Sequence, residues 1–91
     1  MDKYDVKLKN RFKRDLKTCA KRGYNMSLLN EVMTKLEYGI PLDHMANRPH
    51  QLIGYNPAIT ECHIKADWLL LYRYADNKLI FIRTGTHSDL F

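Results

Sequence analysis

The sequence predicts an α+β two-layer sandwich, in which a small antiparallel sheet packs on a helical hairpin. Two observations lead to this fold class. In the first half of the chain, apolar residues recur at helical spacing, whereas from Ile59 onwards they form short blocks separated by polar breaks. Strands with such short breaks form an antiparallel meander, and two amphipathic helices need a sheet to cover their apolar stripes. The predicted order is β-α-α-β-β-β, in one domain spanning residues 1–91.

The first strand and the helical hairpin precede the meander. Residues 4–8 alternate in polarity and predict a short strand. Gly23 is suited to end the first helix, and Asn25 or Ser27 to cap the second, which stops at Gly39. The apolar stripes of the two helices consist of Phe12, Leu16, Cys19 and Ala20, and of Leu28, Leu29, Val32, Met33 and Leu36.

The chain is basic, with 15 Lys and Arg against 10 Asp and Glu, which gives 15 − 10 = +5. A small basic domain suggests an anionic partner such as RNA, DNA, the ribosome or an acidic protein. A charge of this size also serves solubility alone, and a single lysine on the first helix is best read as solvated. Net charge therefore leaves both interpretations open.

Two cysteines and the absence of long apolar runs bear on the compartment. Cys19 and Cys62 form no CxxC pair, so neither a disulfide framework nor a zinc motif is indicated. The segment Met1–Arg22 is too charged for a signal peptide, and no apolar run approaches the length of a membrane span. We therefore expect a cytoplasmic protein without a membrane partner.

The segment from Ile40 to Pro57 is the least regular part of the sequence. It contains three prolines and a glycine, together with His44, Arg48 and His50. Such segments form surface loops, which often carry functional groups. A loop histidine by itself is usually only a solvated residue, and His44 is interpreted in that way.

The last third of the chain predicts three adjacent strands. Residues 59–64 form the first, and Leu69–Tyr74 and Leu79–Arg83 form the arms of a hairpin. Asp76-Asn77 between the arms suits a tight turn, because both residue types tolerate positive φ.

This hairpin predicts a register. With Ala75 opposite Lys78, Leu70 faces Arg83 and Asp67 faces Thr86. If Lys65-Ala66 is the tip of the preceding turn, His63 faces Trp68. Cross-strand neighbours lie about 4.5–5.5 Å apart at Cβ, so one end of the sheet is expected to collect four functional side chains. These are His63, Asp67, Trp68 and His87.

Three ordered blocks then carry a resemblance to a known family. They are His50-x-Leu52-x-Gly54, His63-x3-Asp67-Trp68-x-Leu70-x-Tyr72, and the final run Arg83-Thr84-Gly85-Thr86-His87-Ser88-Asp89-Leu90-Phe91. In blocks and element order the chain resembles the RelE superfamily of bacterial toxins, and within it the YafQ-type messenger-RNA interferases. Gln51 and Ala66 stand where that pattern commonly has proline, which affects loop geometry more than chemistry.

The resemblance implies a RelE-like fold and a toxin of a type II toxin–antitoxin system. Such toxins cleave translated messenger RNA in the A site of the 70S ribosome, and a cognate antitoxin silences them. We expect that antitoxin to be a small dimeric protein with an acidic toxin-binding segment. By resemblance, the positions implicated in cleavage are His50, His63, Asp67 and His87. Trp68 and Phe91 belong to the same neighbourhood in that family, and Arg83 is a common cation of the superfamily.

The chemistry needs neither a metal nor a cofactor. The adjacent 2′-hydroxyl attacks the phosphate, so the enzyme must supply a base, an acid for the leaving 5′-oxygen and positive charge. Histidine, with an ordinary pKa of about 6.5, suits both proton transfers. We expect His87 to be the acid, Asp67 or His63 the base, and His50 to position phosphate or share the proton transfer. Asp67 has a second possible role in orienting His87.

Other interpretations of the same residues remain open. Arg83 is expected to stabilise developing charge, and Trp68 and Phe91 to stack on bases, although Trp68 is equally suited to the core of the sheet. Lys65 contacts phosphate or is simply a solvated turn residue. One alternative function is a metal-dependent hydrolase built from His63, Asp67 and His87. Another is a non-cleaving member of the superfamily, such as a gyrase poison or a binding module.

Overall fold

The computed structural model describes residues 3–91 and has the predicted α+β architecture. A five-stranded sheet in the order β1-β5-β4-β3-β2 carries two longer and two single-turn helices. The strands are β1 (Asp5–Leu8), β2 (His50–Gln51), β3 (Thr60–Lys65), β4 (Trp68–Ala75) and β5 (Lys78–Gly85). The helices are α1 (Asn10–Lys21), α2 (Met26–Glu37), α3 (His44–Asn47) and α4 (His87–Leu90).

The sheet is mixed, whereas the sequence predicted an antiparallel one. Strands β3 to β5 form an antiparallel meander as expected, and β2 joins it in antiparallel orientation, but β1 pairs in parallel with β5. The short strand β2 and the helix α3 both come from the segment that was predicted to be irregular. Their short lengths, of two and four residues, leave no periodic pattern for a sequence to show.

The helical hairpin covers one face of the sheet, as predicted. The rings of Phe12 and Phe81 stack with their centroids 5.5 Å apart and join α1 to the centre of the sheet. Trp68 also belongs to this core, and its indole Nε1 donates a hydrogen bond of 2.9 Å to Thr84 Oγ1. The buried cluster also contains Cys19, Leu29, Val32, Leu36, Leu42, Cys62, Leu70, Tyr72 and Leu79.

Local signals placed the helix ends and the hairpin turn correctly. Gly23 follows α1 at a φ of 79°, a conformation in which glycine carries no steric penalty. Asn25 caps α2, since its side chain accepts a hydrogen bond from the Ser27 backbone. In the β4–β5 turn, Asp76 and Asn77 have φ values of 51° and 61°. Positive φ at both central residues is what a tight two-residue hairpin of type I′ requires.

The predicted register is wrong at two places because the sheet contains irregularities there. Ala75 pairs with Lys78 as expected, but a bulge after Leu71 places Leu70 opposite Thr84 instead of Arg83. A second irregularity lies between His63 and Lys65.

The second irregularity changes the turn next to the site. Lys65 pairs with Trp68, and His63 therefore faces Leu69 instead of Trp68. The tip of the turn is Ala66-Asp67, one residue later than predicted. Asp67 consequently leaves the ladder, faces no residue such as Thr86, and is free to reach across to the end of β5.

Two further observations concern the chain as a whole. Within residues 3–91, none of the helices has the length and apolar character needed to cross a membrane. Cys19 and Cys62 are both buried and carry free thiols. Burial raises the pKa of the Cys62 thiol to about 12, so this thiol is protonated and unreactive at neutral pH.

Candidate active site

The centre of the candidate site is a pair formed by Asp67 and His87. The Asp67 Oδ1 lies 2.7 Å from His87 Nδ1 and also accepts a 3.0 Å hydrogen bond from the His87 backbone N–H. An ionised carboxylate only accepts hydrogen bonds, so the ring proton is on Nδ1 and Nε2 is left for other partners. These contacts, the backbone one first, hold the pKa of Asp67 below its ordinary value. Both side chains are more than half exposed and accessible to a substrate.

The single turn of α4 fixes the position of His87. Thr86 caps this turn, and a reciprocal bond from the Thr86 backbone N–H to Asp89 completes a capping box. Arg22 at the end of α1 binds Asp89 through both carboxylate oxygens, at 2.6 and 3.0 Å. A Cβ on Gly85 would lie 2.8 Å from Asp89 Oδ2, so the glycine allows this close approach. Helix α4, and with it His87, is thereby attached to the end of α1.

A second group of side chains surrounds Glu61 on β3. Glu61 is buried, and its Oε1 lies 3.4 Å from His50 Nε2 and 3.9 Å from His63 Nε2. On its other side, His63 Nδ1 lies 3.3 Å from both the Ala66 carbonyl oxygen and a guanidinium nitrogen of Arg48. Glu61 therefore offers negative charge to two of the predicted site histidines.

The two groups meet at one end of the sheet. The ring centroids of His63 and His87 are 6.2 Å apart, although His63 is mostly buried and His87 is exposed. Asn47 in α3 anchors the strand at this point by donating a 2.8 Å hydrogen bond to the His63 carbonyl oxygen. The structure thus brings together His50, His63, Asp67 and His87, with Glu61 among them.

Arg83 lies in a different setting. Its guanidinium binds Asp15 of α1 through two hydrogen bonds, of 2.7 and 3.2 Å. The same carboxylate accepts the Thr84 backbone N–H at 3.1 Å, on the part of β5 that extends beyond its pairing with β1. Both side chains of the pair are less than one fifth exposed. Arg83 therefore already has an internal partner that joins β5 to α1.

The remaining predicted substrate contacts differ in exposure. Trp68 is only 4% exposed and packs against Tyr24 at a centroid distance of 4.8 Å, so it takes the core position that the sequence allowed. Phe91 is 63% exposed, and its ring lies 6.4 Å from that of His87. Lys65 is exposed at the end of β3. Phe91 and Lys65 are thus accessible, whereas the indole of Trp68 is not.

Sequence reasoning missed four charged residues of this region. Glu61 could have been found, because it lies two positions before His63 and so on the same face of a strand. Asp89, three residues after Thr86, completes a recognisable capping pattern. Asp15 and Arg22 pair with residues 68 and 67 positions away, and nothing local indicates such partners.

Across residues 3–91, no three His, Cys, Asp or Glu side chains converge closely enough to share a metal ion. Two histidines face Glu61, and a third binds Asp67, but these form separate groups.

Comparison with known proteins places the chain in a family. Residues 4–91 match the family model described as a bacterial toxin of type II toxin–antitoxin systems, YafQ. The mRNA interferase toxin YafQ of Escherichia coli K12 is 34% identical over 88 residues, covering 96% of this chain and 95% of that protein.

Solved structures agree with this assignment. The E. coli DinJ–YafQ toxin–antitoxin complex contains a chain with a TM-score of 0.90 and 33% identity, covering 98% of both chains. A metal-bound toxin from Helicobacter pylori has a TM-score of 0.90 and 34% identity, covering 97% of this chain and 99% of that one. The chain belongs to the YafQ family of type II toxin–antitoxin toxins.

Proposed function

We propose that this toxin is an endoribonuclease that cleaves translated messenger RNA in the A site of the 70S ribosome. Cleavage proceeds by acid/base catalysis without a metal, and it inhibits translation and growth. The observation that carries the proposal is the exposed His87–Asp67 pair, with its free Nε2, beside a second histidine 6.2 Å away. Family membership and the name of the E. coli relative, an mRNA interferase, support the same activity.

His87 is the general acid in this proposal. Asp67 fixes the ring so that protonated Nε2 faces outward, and its negative charge stabilises the imidazolium. The ring donates its Nε2 proton to the leaving 5′-oxygen as the bond from phosphorus to that oxygen breaks. Proton transfer of this kind contributes roughly 10²–10⁴-fold to a rate.

His63 is the better candidate for the base. The lowered pKa of Asp67 makes its carboxylate a weak proton acceptor, and the carboxylate is already occupied by His87. When His63 Nδ1 donates to the Ala66 carbonyl, Nε2 keeps a lone pair that can take the 2′-hydroxyl proton. The resulting imidazolium then faces Glu61, whose negative charge stabilises it. The 2′-oxygen forms its bond to phosphorus, which leaves a 2′,3′-cyclic phosphate and a 5′-hydroxyl.

Positive charge at this end of the sheet completes the proposal. His50 is more exposed than His63 and positions the phosphate, together with Lys65 at the end of the neighbouring strand β3. Phe91 offers an exposed ring for a base beside His87. The substrate-binding role of Arg83 stays a prediction, because Asp15 already binds its guanidinium.

The partner of the toxin is proposed to be a cognate antitoxin. The toxin has a net charge of +5, which an acidic segment of a small dimeric antitoxin would complement. The solved complex of E. coli YafQ with DinJ supports this kind of partner. Binding of that acidic segment over His50, His63 and His87 would block access of RNA to the candidate active site.

Primer extension on a translated message with purified ribosomes tests the proposal. Wild type is expected to cut at codon-phased positions, and His87→Ala is expected to lose at least about 100-fold of that activity. Cutting of naked RNA with equal efficiency would remove the ribosome from the proposal. No cutting by wild type would favour a gyrase poison or binding module.

A chelator of transition metals, added at constant Mg²⁺, tests the metal-free mechanism in the same assay. Unchanged cutting is expected. If the chelator abolishes cutting and added Zn²⁺ or Cu²⁺ restores it, the metal-dependent alternative is favoured. The metal-bound structure of the H. pylori relative motivates this test.

A further inference from the structure

A concave surface lies beside the His87–Asp67 pair. Its volume is about 520 Å³, within the range of roughly 300–1,000 Å³ that is usual for small-molecule pockets. Its walls come from the link between α1 and α2 and from the turn between β3 and β4. We call it the Tyr24 pocket. Asp67 lines it and also binds His87, so the pocket and the acid/base pair share one wall.

The Tyr24 pocket has an aromatic lining. Tyr24 is half-buried, and its ring lies 4.8 Å from that of Trp68, which forms the buried layer beneath it. The guanidinium of Arg22, which is bound to Asp89, lies over the Tyr24 ring at 5.9 Å from its centroid. A tyrosine ring held from behind in this way is a stable platform, and nucleobases of single-stranded RNA stack on such rings.

Polar groups around this ring remain available to a ligand. Asn25 Oδ1 is occupied by Ser27 as the cap of α2, but within residues 3–91 its Nδ2 has no hydrogen-bond partner. Asp67 uses Oδ1 for both contacts with His87, so its Oδ2 can accept a further hydrogen bond. Lys65 on the same rim provides a positive charge for a phosphate. The pocket therefore offers a donor, an acceptor and a cation around an aromatic face.

We infer that the Tyr24 pocket binds the base of a nucleotide adjacent to the cleaved phosphodiester. The base stacks on Tyr24, and the edge of the base contacts Asn25, which makes these two residues determinants of sequence preference. The inference rests on the proposed RNA cleavage for the identity of the substrate. Its location follows from Asp67, because a base bound beside this carboxylate places its sugar-phosphate next to His87.

Trp68 provides a direct test, since it is the only tryptophan of the chain and packs against Tyr24. The probes are four 2′-O-methylated homotrinucleotides (A, C, G and U), in which the attacking hydroxyl is blocked. Saturable quenching of Trp68 fluorescence is expected in the wild-type protein, because binding needs no proton transfer.

Three variants and a matched control separate the contacts. Tyr24→Leu keeps apolar packing on Trp68 but is expected to weaken probe binding by roughly 5- to 150-fold. Tyr24→Phe keeps the aromatic ring and is expected to bind the probes with wild-type affinity. Asn25→Ser keeps a helix cap and is expected to change the ranking of the four probes. Tyr38→Leu removes a tyrosine that is 41% exposed at the end of α2, outside the pocket, and is expected to bind like wild type.

Absence of quenching by all four probes would overturn the inference, as would undiminished binding by Tyr24→Leu. These results are independent of cleavage, because the probes cannot be cut and no ribosome is present. Binding that depends on Tyr24 in a protein that never cuts messages would support the pocket while refuting the proposed function.

Discussion

The ion pair between Arg83 and Asp15 gives the sharpest prediction about stability. Asp15→Ala leaves a guanidinium that is 19% exposed without its partner and removes the acceptor of the Thr84 backbone N–H. Removing one partner of a buried pair costs about 3–5 kcal/mol, and the residual exposure here places the expected cost near the lower end, about 3 kcal/mol. That is a large part of the roughly 5–15 kcal/mol that stabilises a small domain.

Thermal unfolding followed by circular dichroism measures this cost. In a domain of this size each kcal/mol shifts Tm by roughly 4–8 °C, so Asp15→Ala is expected to lower Tm by roughly 12–24 °C. Arg83→Met keeps most of the aliphatic stem, and the double variant is expected to be less destabilised than the sum of the two single variants. Glu31→Ala, an exposed carboxylate on α2, serves as the control and is expected to stay within about 0.5 kcal/mol of wild type.

The same variants decide what Arg83 does. If its main role is structural, Arg83→Met cuts a translated message at nearly the wild-type rate at a temperature where it is folded. An unchanged Tm in Asp15→Ala, or simple additivity of the two single effects, would show that this ion pair does not stabilise the fold. A variant of Arg83 with unchanged Tm and a 100-fold loss of cutting would return this residue to the substrate-binding role.

Three further predictions concern the Asp67–His87 end of the sheet. Asp67→Asn is expected to lose roughly 10²-fold or more in cleavage with little change in Tm, because His87 loses its orienting partner and both groups are exposed; wild-type activity would contradict this. Arg22→Asp is expected to lower the cleavage rate by displacing α4. The charge swap Arg22→Asp/Asp89→Arg is expected to recover part of this rate in single-turnover assays. No recovery would argue against a role of the Arg22–Asp89 ion pair in holding α4. His87 lowers the pKa of Asp67, and Arg22 lowers the pKa of Asp89. Both carboxylates therefore stabilise the fold at pH values above their ordinary pKa of about 4, and this contribution is lost as the pH falls towards their lowered pKa values. Tm is expected to fall less steeply between pH 6 and 2 in Asp89→Asn than in wild type.

The secondary structure could be predicted where its causes are local. Helix spacing, the Asn25 cap, Gly23 after α1 and the Asp76-Asn77 turn each depend on a few neighbouring residues, and the structure confirms all of them. The register could not be predicted in the same way. Leu69, Leu70 and Leu71 are all at most 6% exposed, so the apolar run looks the same in either register and cannot reveal a bulge.

The candidate site shows the same division. The histidines and Asp67 were recognisable from ordered motifs, and the structure brings these side chains to one end of the sheet. Arg22 and Asp15, which bind Asp89 and Arg83, come from α1 and its C-terminal end, more than 60 residues earlier in the chain. There they resemble any other charged position on a solvated face. Only the packing of α1 beside β5 and α4 shows that these charges hold the site in place.

A substitution in the substrate tests whether His87 and its neighbours assist attack by a 2′-hydroxyl. A translated message carrying a single 2′-deoxynucleotide immediately 5′ to a mapped cut would be incubated with the wild-type toxin and purified ribosomes. Loss of cutting at that bond alone, with other sites cut as before, is the predicted result. Undiminished cutting at the modified bond would show that the nucleophile is not the 2′-hydroxyl and would contradict the mechanism.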